Sequence, residues 1–240
     1  MPSISIIIPM HNEVDNVAPF LTEIQDSLKE TLSYEIIVVD DGSSDGTHEA
    51  LNALINDISH LQVLTHLKNY GQSAAILSGI RAAKHPWIVT LDGDAQNDPH
   101  DISLLLDTLI HTDSNQPLLI AGNRKKRNDS LIRRLSSRIA NGIRNGILKD
   151  DCMDTGCSLK LFSRDLFLQL PHFNHMHRYL PSLIKRAGGR IINVPVNHRP
   201  RTRGQSKYGI NNRLWVGIID LFGVKWLMSR ACNPTINNKK

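Results

Sequence analysis

Three short, almost wholly apolar runs constrain this chain more than anything else in it: Ile4–Ile8, Glu35–Val39 and Trp87–Leu91. A strand with one wet face alternates apolar and polar residues, whereas a strand buried on both faces reads as a continuous run. Between the runs lie stretches of helical period. Val14–Leu28 carries Val17, Phe20, Leu21, Ile24 and Leu28 on one face, and Asp45–Ile58, the alanine-rich Ser73–Lys84 and Asp101–Ile110 follow the same pattern. Gln62–His66 and Leu118–Ala121 complete a set of five expected strands. Short strands joined by crossover helices pair in parallel, so the spacing predicts an α/β fold with a mostly parallel twisted sheet flanked by helices. In such sheets ligands bind outside the carboxyl ends of the strands. The segments expected there are Met10–Glu13, Asp40–Gly46 and Asp92–Asp98, all acidic or amide-rich.

Charge divides the chain in two. Residues 1–123 hold 4 Lys/Arg against 17 Asp/Glu, a balance of −13, and residues 124–240 hold 24 against 6, a balance of +18. An acidic half joined to a basic half suits a metal or base-recognition site in the first and an anion site in the second, unless both sets are solvated surface. Nucleic acid is not expected as the anion, because aromatic residues for base stacking are sparse among the basic ones. A phosphorylated ligand is. The second half is less regular: Leu131–Leu148 is expected as an arginine-studded helix, Cys157–Phe162 and Arg190–Val196 as strands with a helix at Arg178–Ala187 between them, His198–Gly209 as a basic loop. Three cysteines make no disulfide framework and no signal peptide opens the chain, so a reduced, cytosolic-side protein is expected.

Asp92 and Asp94, followed by Gln96, come directly after an expected strand. Two carboxylates one residue apart at a strand end can share one hard divalent cation, Mg²⁺ or Mn²⁺, and Gly93 between them admits a ligand close to the backbone. Such an ion neutralises charge on a leaving diphosphate. Asp40 and Asp41 open the turn Asp40–Thr47, where a carboxylate can accept from a nucleobase imide or ribose hydroxyls; Ser44 and Asp45 read equally well as helix caps. His172, His175 and His177 with Cys152 and Cys157 raise zinc, against a partly buried thiol pair.

Four segments of the first half, Ser5–Glu13 (SIIIPMHNE), Glu35–Thr47 (EIIVVDDGSSDGT), Asn69–Ala75 (NYGQSAA) and Leu91–Pro99 (LDGDAQNDP), resemble in order and spacing the family 2 glycosyltransferases, which have the GT-A fold and use nucleotide-diphosphate sugars. Asp154–Arg164 (DTGCSLKLFSR) and Arg201–Tyr208 (RTRGQSKY) are similar to the dolichol-phosphate mannose synthase branch, which glycosylates polyprenyl phosphates. The resemblance spans about residues 3–230. It implies a nucleotide pocket on Pro9, His11, Glu13, Val39 and Asp41, and a metal and diphosphate site on Asp92, Asp94 and Gln96 with Gly93 alongside. It also implies that Arg124, Arg201 and Lys207 grip the donor diphosphate and the acceptor phosphate, so that Asp94 and these three cations carry the reaction. His11 departs from the tyrosine usual in the synthases, and His177-Arg178-Tyr179 and His198-Arg199-Pro200-Arg201 look closer to bacterial relatives that use UDP-sugars and undecaprenyl phosphate. The domain division implied is a GT-A domain over 1–209, split at 123/124 into donor and acceptor halves, then a C-terminal amphipathic helix over 210–232 and a disordered tail over 233–240.

A phosphate acceptor also makes physical sense. A sugar hydroxyl needs a general base, whereas a phosphate monoester is largely dianionic at neutral pH, its second pKa being about 6. The obstacle is repulsion between two anions, which arginine and lysine beside a metal would screen while orienting an in-line, inverting attack. The expected activity is transfer of one hexose from GDP-mannose or a UDP-hexose to dolichyl or undecaprenyl phosphate; the alternative is transfer to a saccharide hydroxyl in envelope polysaccharide assembly. Leu214–Met228 falls short of the roughly 18–20 uncharged residues that span a bilayer. With Trp215 and Trp226 and flanking Arg213 and Arg230 it suits a membrane surface, the other readings being packing on the domain or a dimer interface. The expected location is peripheral, on the cytosolic face of a membrane.

Overall fold

A computed structural model describes residues 2–28, 33–113, 116–124, 142, 144–200 and 210–230. The apolar runs form the middle of a sheet. Strand β1 (Ile4–Met10) pairs in parallel with β2 (Tyr34–Asp40) on one side and β4 (Trp87–Thr90) on the other, and β2 pairs with β3 (Leu61–Thr65). Both faces of β1 are covered, which is why its sequence does not alternate. Ile6 and Ile8 lie in one apolar cluster with Val17, Phe20 and Leu105, whereas Ile7 lies in a second with Ile80 and Phe162. Helices α1 (Val14–Ser27), α2 (Thr47–Leu54) and α4 (Ile102–Ile110) supply the first layer. Helix α3 (Gln72–Ala82) and the helices Arg164–Gln169 and Leu180–Arg186 supply the second.

The seven strands run in the order β3-β2-β1-β4-β6-β5-β7, with β5 at Leu118–Arg124, β6 at Lys160–Ser163 and β7 at Arg190–Val196. Here the structure departs from simple strand succession. β5 does not join β4; the later strand β6 inserts between them, antiparallel to both. Because β6 runs backwards, its first residue, Lys160, stands opposite Thr90 at the carboxyl end of β4 and opposite Ala121 midway along β5. The turn that precedes β6 is thereby carried to the same end of the sheet as the acidic loops.

The chain leaves β1 toward β2 and β3 in one direction and crosses to β4 in the other, so the topological switch point, where a crevice opens, lies between β1 and β4. Pairing between these two ends at Ile7 opposite Thr90, while β1 continues beside β2 to Met10. Pro9–Glu13 and Asp92–Asp98 border that gap.

The C-terminal helix spans Ile210–Ser229. From residue 217 on, its inner face meets the body: Val224 is buried with Leu148 and Tyr179, the Tyr179 hydroxyl donates to the Gly217 carbonyl (3.0 Å), and Arg186 Nε donates to the Leu227 carbonyl (2.9 Å). Asp220 also meets the body, 3.1 Å from His175 Nδ1. Ile219, Phe222 and Trp226 on the other face are 70%, 66% and 61% exposed. Apolar residues therefore occupy both faces, and the helix is not amphipathic in the expected sense. No described helix is long and apolar enough to cross a membrane. Most of the helix expected at Leu131–Leu148, the region of Arg201 and Lys207, and the tail 233–240 lie outside the described residues; 144–148 are helical.

Candidate active site

The loop after β1 and the turn after β2 are zipped together by local hydrogen bonds. The Asn12 N–H donates to Ser43 Oγ (2.8 Å), Ser44 N–H to Asn12 Oδ1 (2.7 Å) and Glu13 N–H to Thr47 Oγ1 (2.9 Å). Asp45 accepts from the Thr47 N–H and hydroxyl and from the Val14 N–H, so it ties off the starts of two helices. Ser43, Ser44, Asp45 and Thr47 are thus occupied in shaping the loop. Gly42 is fixed by its surroundings: at φ +67° a Cβ would lie 2.4 Å from the Lys68 carbonyl carbon.

Asp41 is buried and heavily engaged. Its Oδ1 accepts from His66 Nδ1 (2.7 Å) and the Tyr70 N–H (2.9 Å), and Oδ2 accepts from the Gly71 N–H (2.7 Å). Because a carboxylate only accepts, His66 Nδ1 carries the proton, and its Nε2 receives the Ser78 hydroxyl at 2.9 Å. Asp41 thereby pins the 66–71 segment to the end of β2. Beside it, Val39 is buried within β2 and Pro9 is half-buried at the end of β1, while Glu13 Oε2 accepts from the Asn16 amide (2.7 Å) and His11 lies in the loop between.

Gln72, at the start of α3, sends its amide to Asp92 Oδ1 (2.7 Å). Gly93 is packed against β1: a Cβ would lie 2.6 Å from Met10 Cγ and 3.0 Å from the Pro9 carbonyl oxygen. That contact sets Asp92 and Asp94 at the mouth of the switch-point gap. Asp94 Oδ1 accepts from the Gln96 N–H (3.2 Å), and Gln96 Nε2 donates to the Arg199 carbonyl (3.3 Å), which leaves the amide oxygen of Gln96 for ligation. The hard oxygen donors of Asp92, Asp94 and Gln96 fit Mg²⁺ or Mn²⁺.

The second half meets these acids through the turn before β6. Arg124, at the end of β5, makes a two-point pair with Asp154, Nε to Oδ2 at 2.6 Å and Nη2 to Oδ1 at 2.8 Å. Ser158 donates to Asn97 Oδ1 (2.5 Å), and the Thr90 hydroxyl donates to the Ser158 carbonyl (2.5 Å). Lys160 is buried and donates to the carbonyls of Cys157 and Thr155. Burial pushes the Asp92 carboxyl up from its ordinary pKa, opposed by the Ser158 hydroxyl, the charges of Lys160 and Arg124, and the Gln72 amide. His177 meets Ser73 at 2.7 Å and is held well below the ordinary histidine value by burial and by Arg178, Lys160 and His175, so it is neutral at pH 7.

One more cluster has the shape of a metal site. Ligand atoms of Glu23, Asp98 and His100 lie within 4.8 Å of one another, the single such group among the described residues. Arg199 fills the place a cation would take, with Nη1 2.7 and 2.9 Å from Glu23 and Nη2 2.7 Å from Asp98. Cys152 and Cys157 are free and buried, and burial raises both thiols, so neither is poised as a thiolate ligand.

Of the residues singled out in the sequence, Pro9, His11, Glu13, Val39 and Asp41 come together at the ends of β1 and β2, and Asp92, Gly93, Asp94 and Gln96 follow β4. Arg124 reaches the same end of the sheet on β5. Arg201 and Lys207 lie outside the described residues. Lys160, Gln72 and Ser158 were not singled out; a lysine between Leu159 and Leu161 in an apolar strand was the signal available for the first.

Residues 5–170 match the family described as Glycosyl transferase family 2. The dodecaprenyl-phosphate galacturonate synthase of Rhizobium johnstonii is 34% identical over 239 residues, which cover 96% of this chain and 69% of that protein. The undecaprenyl-phosphate 4-deoxy-4-formamido-L-arabinose transferases of Edwardsiella ictaluri and Yersinia pestis are each 33% identical, and the matches cover 86% of this chain and 63% of theirs. The chain thus spans about two thirds of the length of these relatives, whose names describe polyprenyl-phosphate sugar transferases. Among solved structures, the glucosyl-3-phosphoglycerate synthase of Mycobacterium tuberculosis with Mn²⁺, UDP and phosphoglyceric acid superposes with a TM-score of 0.70 at 18% identity, covering 98% of this chain and 80% of that one. Its complex with Mg²⁺ and UDP gives 0.69 at 18% identity, covering 98% and 81%. The structural likeness establishes the GT-A architecture, and the sequence match establishes descent: this chain belongs to glycosyl transferase family 2.

Proposed function

We propose that the protein transfers one hexose, with inversion, from a uridine-diphosphate sugar to a polyprenyl phosphate at a membrane surface. The observation that carries this reading is the meeting of the two halves at one end of the sheet. The acids after β1, β2 and β4 stand there opposite Arg124 and Lys160, delivered by β5 and the reversed β6. A bound Mg²⁺ or Mn²⁺, held by Asp92, Asp94 and Gln96, supplies positive charge to the leaving diphosphate. The chain's own groups bind and orient. Asp154 fixes the Arg124 guanidinium toward the anions, and Arg201 and Lys207 add charge for the acceptor phosphate, which attacks as an anion and needs no proton removed.

The engagement of Asp41 supports uridine over guanosine. Three of its roughly four acceptor positions are taken. One remaining position matches the single imide N–H of uracil, whereas the guanine edge presents adjacent N1–H and N2–H donors. The exposed Ile219, Phe222 and Trp226 support seating of the C-terminal helix on lipid, where the acceptor resides.

Incubation with Mn²⁺, radiolabelled nucleotide sugars and undecaprenyl phosphate tests the proposal by where the label goes. Lipid-bound label from a UDP-sugar is expected, and Asp94→Ala should lower it by about 10³-fold or more while leaving the melting temperature in place. Label appearing on a saccharide hydroxyl instead, or full transfer by Asp94→Ala, would overturn it.

A further inference from the structure

Arg199 has no part in the transfer described above, yet its main chain and side chain are both tied down. Beyond β7 the chain crosses to the loop that follows β4. The Asn197 N–H donates to Asp101 Oδ2 (2.6 Å), His198 forms an antiparallel bridge with Asn97, and the Arg199 N–H donates to the Gln96 carbonyl (3.0 Å). Gln96 answers with its side-chain amide on the Arg199 carbonyl (3.3 Å). Pro200 comes next, which favours extended backbone at Arg199 and leaves the bridge no N–H with which to continue. A bridge this short cannot hold a segment by itself. The guanidinium completes the attachment: Nη1 donates to both carboxylate oxygens of Glu23 (2.7 and 2.9 Å), and Nη2 lies 2.7 Å from Asp98 Oδ1. Glu23 stands on α1, whose Phe20, Leu21 and Ile24 are buried in the core, so the fork is fastened to a rigid element.

The partners come from different halves of the chain. Glu23 and Asp98 belong to the acidic half, and Arg199 to the basic one, two residues before Arg201. Two residues of chain span at most about 7 Å, so whatever fixes Arg199 limits how far Arg201 can lie from the metal loop. We infer that Arg199 is a positioning residue for the acceptor: its side chain fastens the segment leading to Arg201 onto the loop that carries Gln96, so that the acceptor phosphate is received at a fixed place beside the donor diphosphate. Arg199 acts through the chain rather than by touching either substrate. This rests on the transferase reading proposed above. A purely stabilising role is poorly served by the same contacts, because the Arg199 and Glu23 side chains are 34% and 30% exposed, and ion pairs that wet add little to stability.

The test measures transfer by the whole chain from a UDP-sugar to undecaprenyl phosphate with Mn²⁺, in Glu23→Ala, Arg199→Ala and the double variant. Each single variant should raise the KM for undecaprenyl phosphate roughly tenfold. UDP affinity, measured with Mn²⁺ by calorimetry, should move by less than about twofold, and the melting temperature should fall by no more than about 4 °C. Both substitutions remove the same contact, so the double variant should be no worse than either alone by more than about twofold. Glu23 lies 176 residues from Arg199 in sequence, so a shared acceptor defect is not a local effect of either substitution. An unchanged acceptor KM in both single variants, an equal loss of UDP affinity, or losses that multiply in the double variant overturns the inference and leaves the transferase reading standing. Wild type that labels no lipid overturns the transferase reading, and the inference with it.

Discussion

The two halves of the molecule satisfy their buried charges in different ways. In the first half buried carboxylates take main-chain N–H donors: Asp41 from Tyr70 and Gly71, Asp40 from Ser43, Glu35 from Lys84. In the second half they take cations: Asp154 from Arg124, and Asp150, wholly buried, from Arg144 at 2.5 Å. A carboxylate held by N–H groups keeps its full charge, so the field of the first half stays negative. A carboxylate held by arginine is offset by its partner's charge.

This contrast can be broken experimentally. Asp150→Ala strands Arg144 without its partner and also removes the acceptor of the Ser182 hydroxyl (2.6 Å). A loss of roughly 3–5 kcal/mol is expected in urea unfolding. Asp101→Ala in the first half leaves the Asn197 N–H (2.6 Å) without its carboxylate, and the expected loss is smaller, about 1–3 kcal/mol. Equal losses would show that the mode of compensation does not matter. Phe222→Ser combined with Trp226→Ser touches neither interior, and stability should move by less than about 0.5 kcal/mol. Flotation with vesicles carrying undecaprenyl phosphate should nonetheless show retention falling by about tenfold, and unchanged retention would remove the helix from the membrane surface.

What could be read in advance follows from the range of the interactions. β1, β2 and β4 were legible because strands covered on both faces must be apolar throughout, and the carboxylates after them because a strand end is a local feature. Helix α2 starts two residues later than its apolar period suggested because Asp45 spends its carboxylate on the Thr47 N–H and hydroxyl. The six-residue helix Arg164–Gln169 was too brief to show a period at all. Direction and neighbour are not written in a four-residue strand, so the reversal of β6 was hidden, and with it the arrival of Lys160 beneath Asp92. The donors to Asp41 come from a segment some 25–30 residues away, and Arg199 reaches Glu23 across 176 residues. No local pattern carries such information.

The late insertion of β6 also sets an order of assembly. β3, β2, β1 and β4 can zip together as soon as they are synthesised, but β4 then shows an open edge, and β5, already made, has nothing to join until residues 160–163 emerge. An edge left waiting is a template for the wrong partner. The stretch between β5 and β6 therefore sets how long a nascent chain is exposed to mispairing, and pulsed hydrogen exchange during refolding should find β5 and β7 protected only after β6 docks.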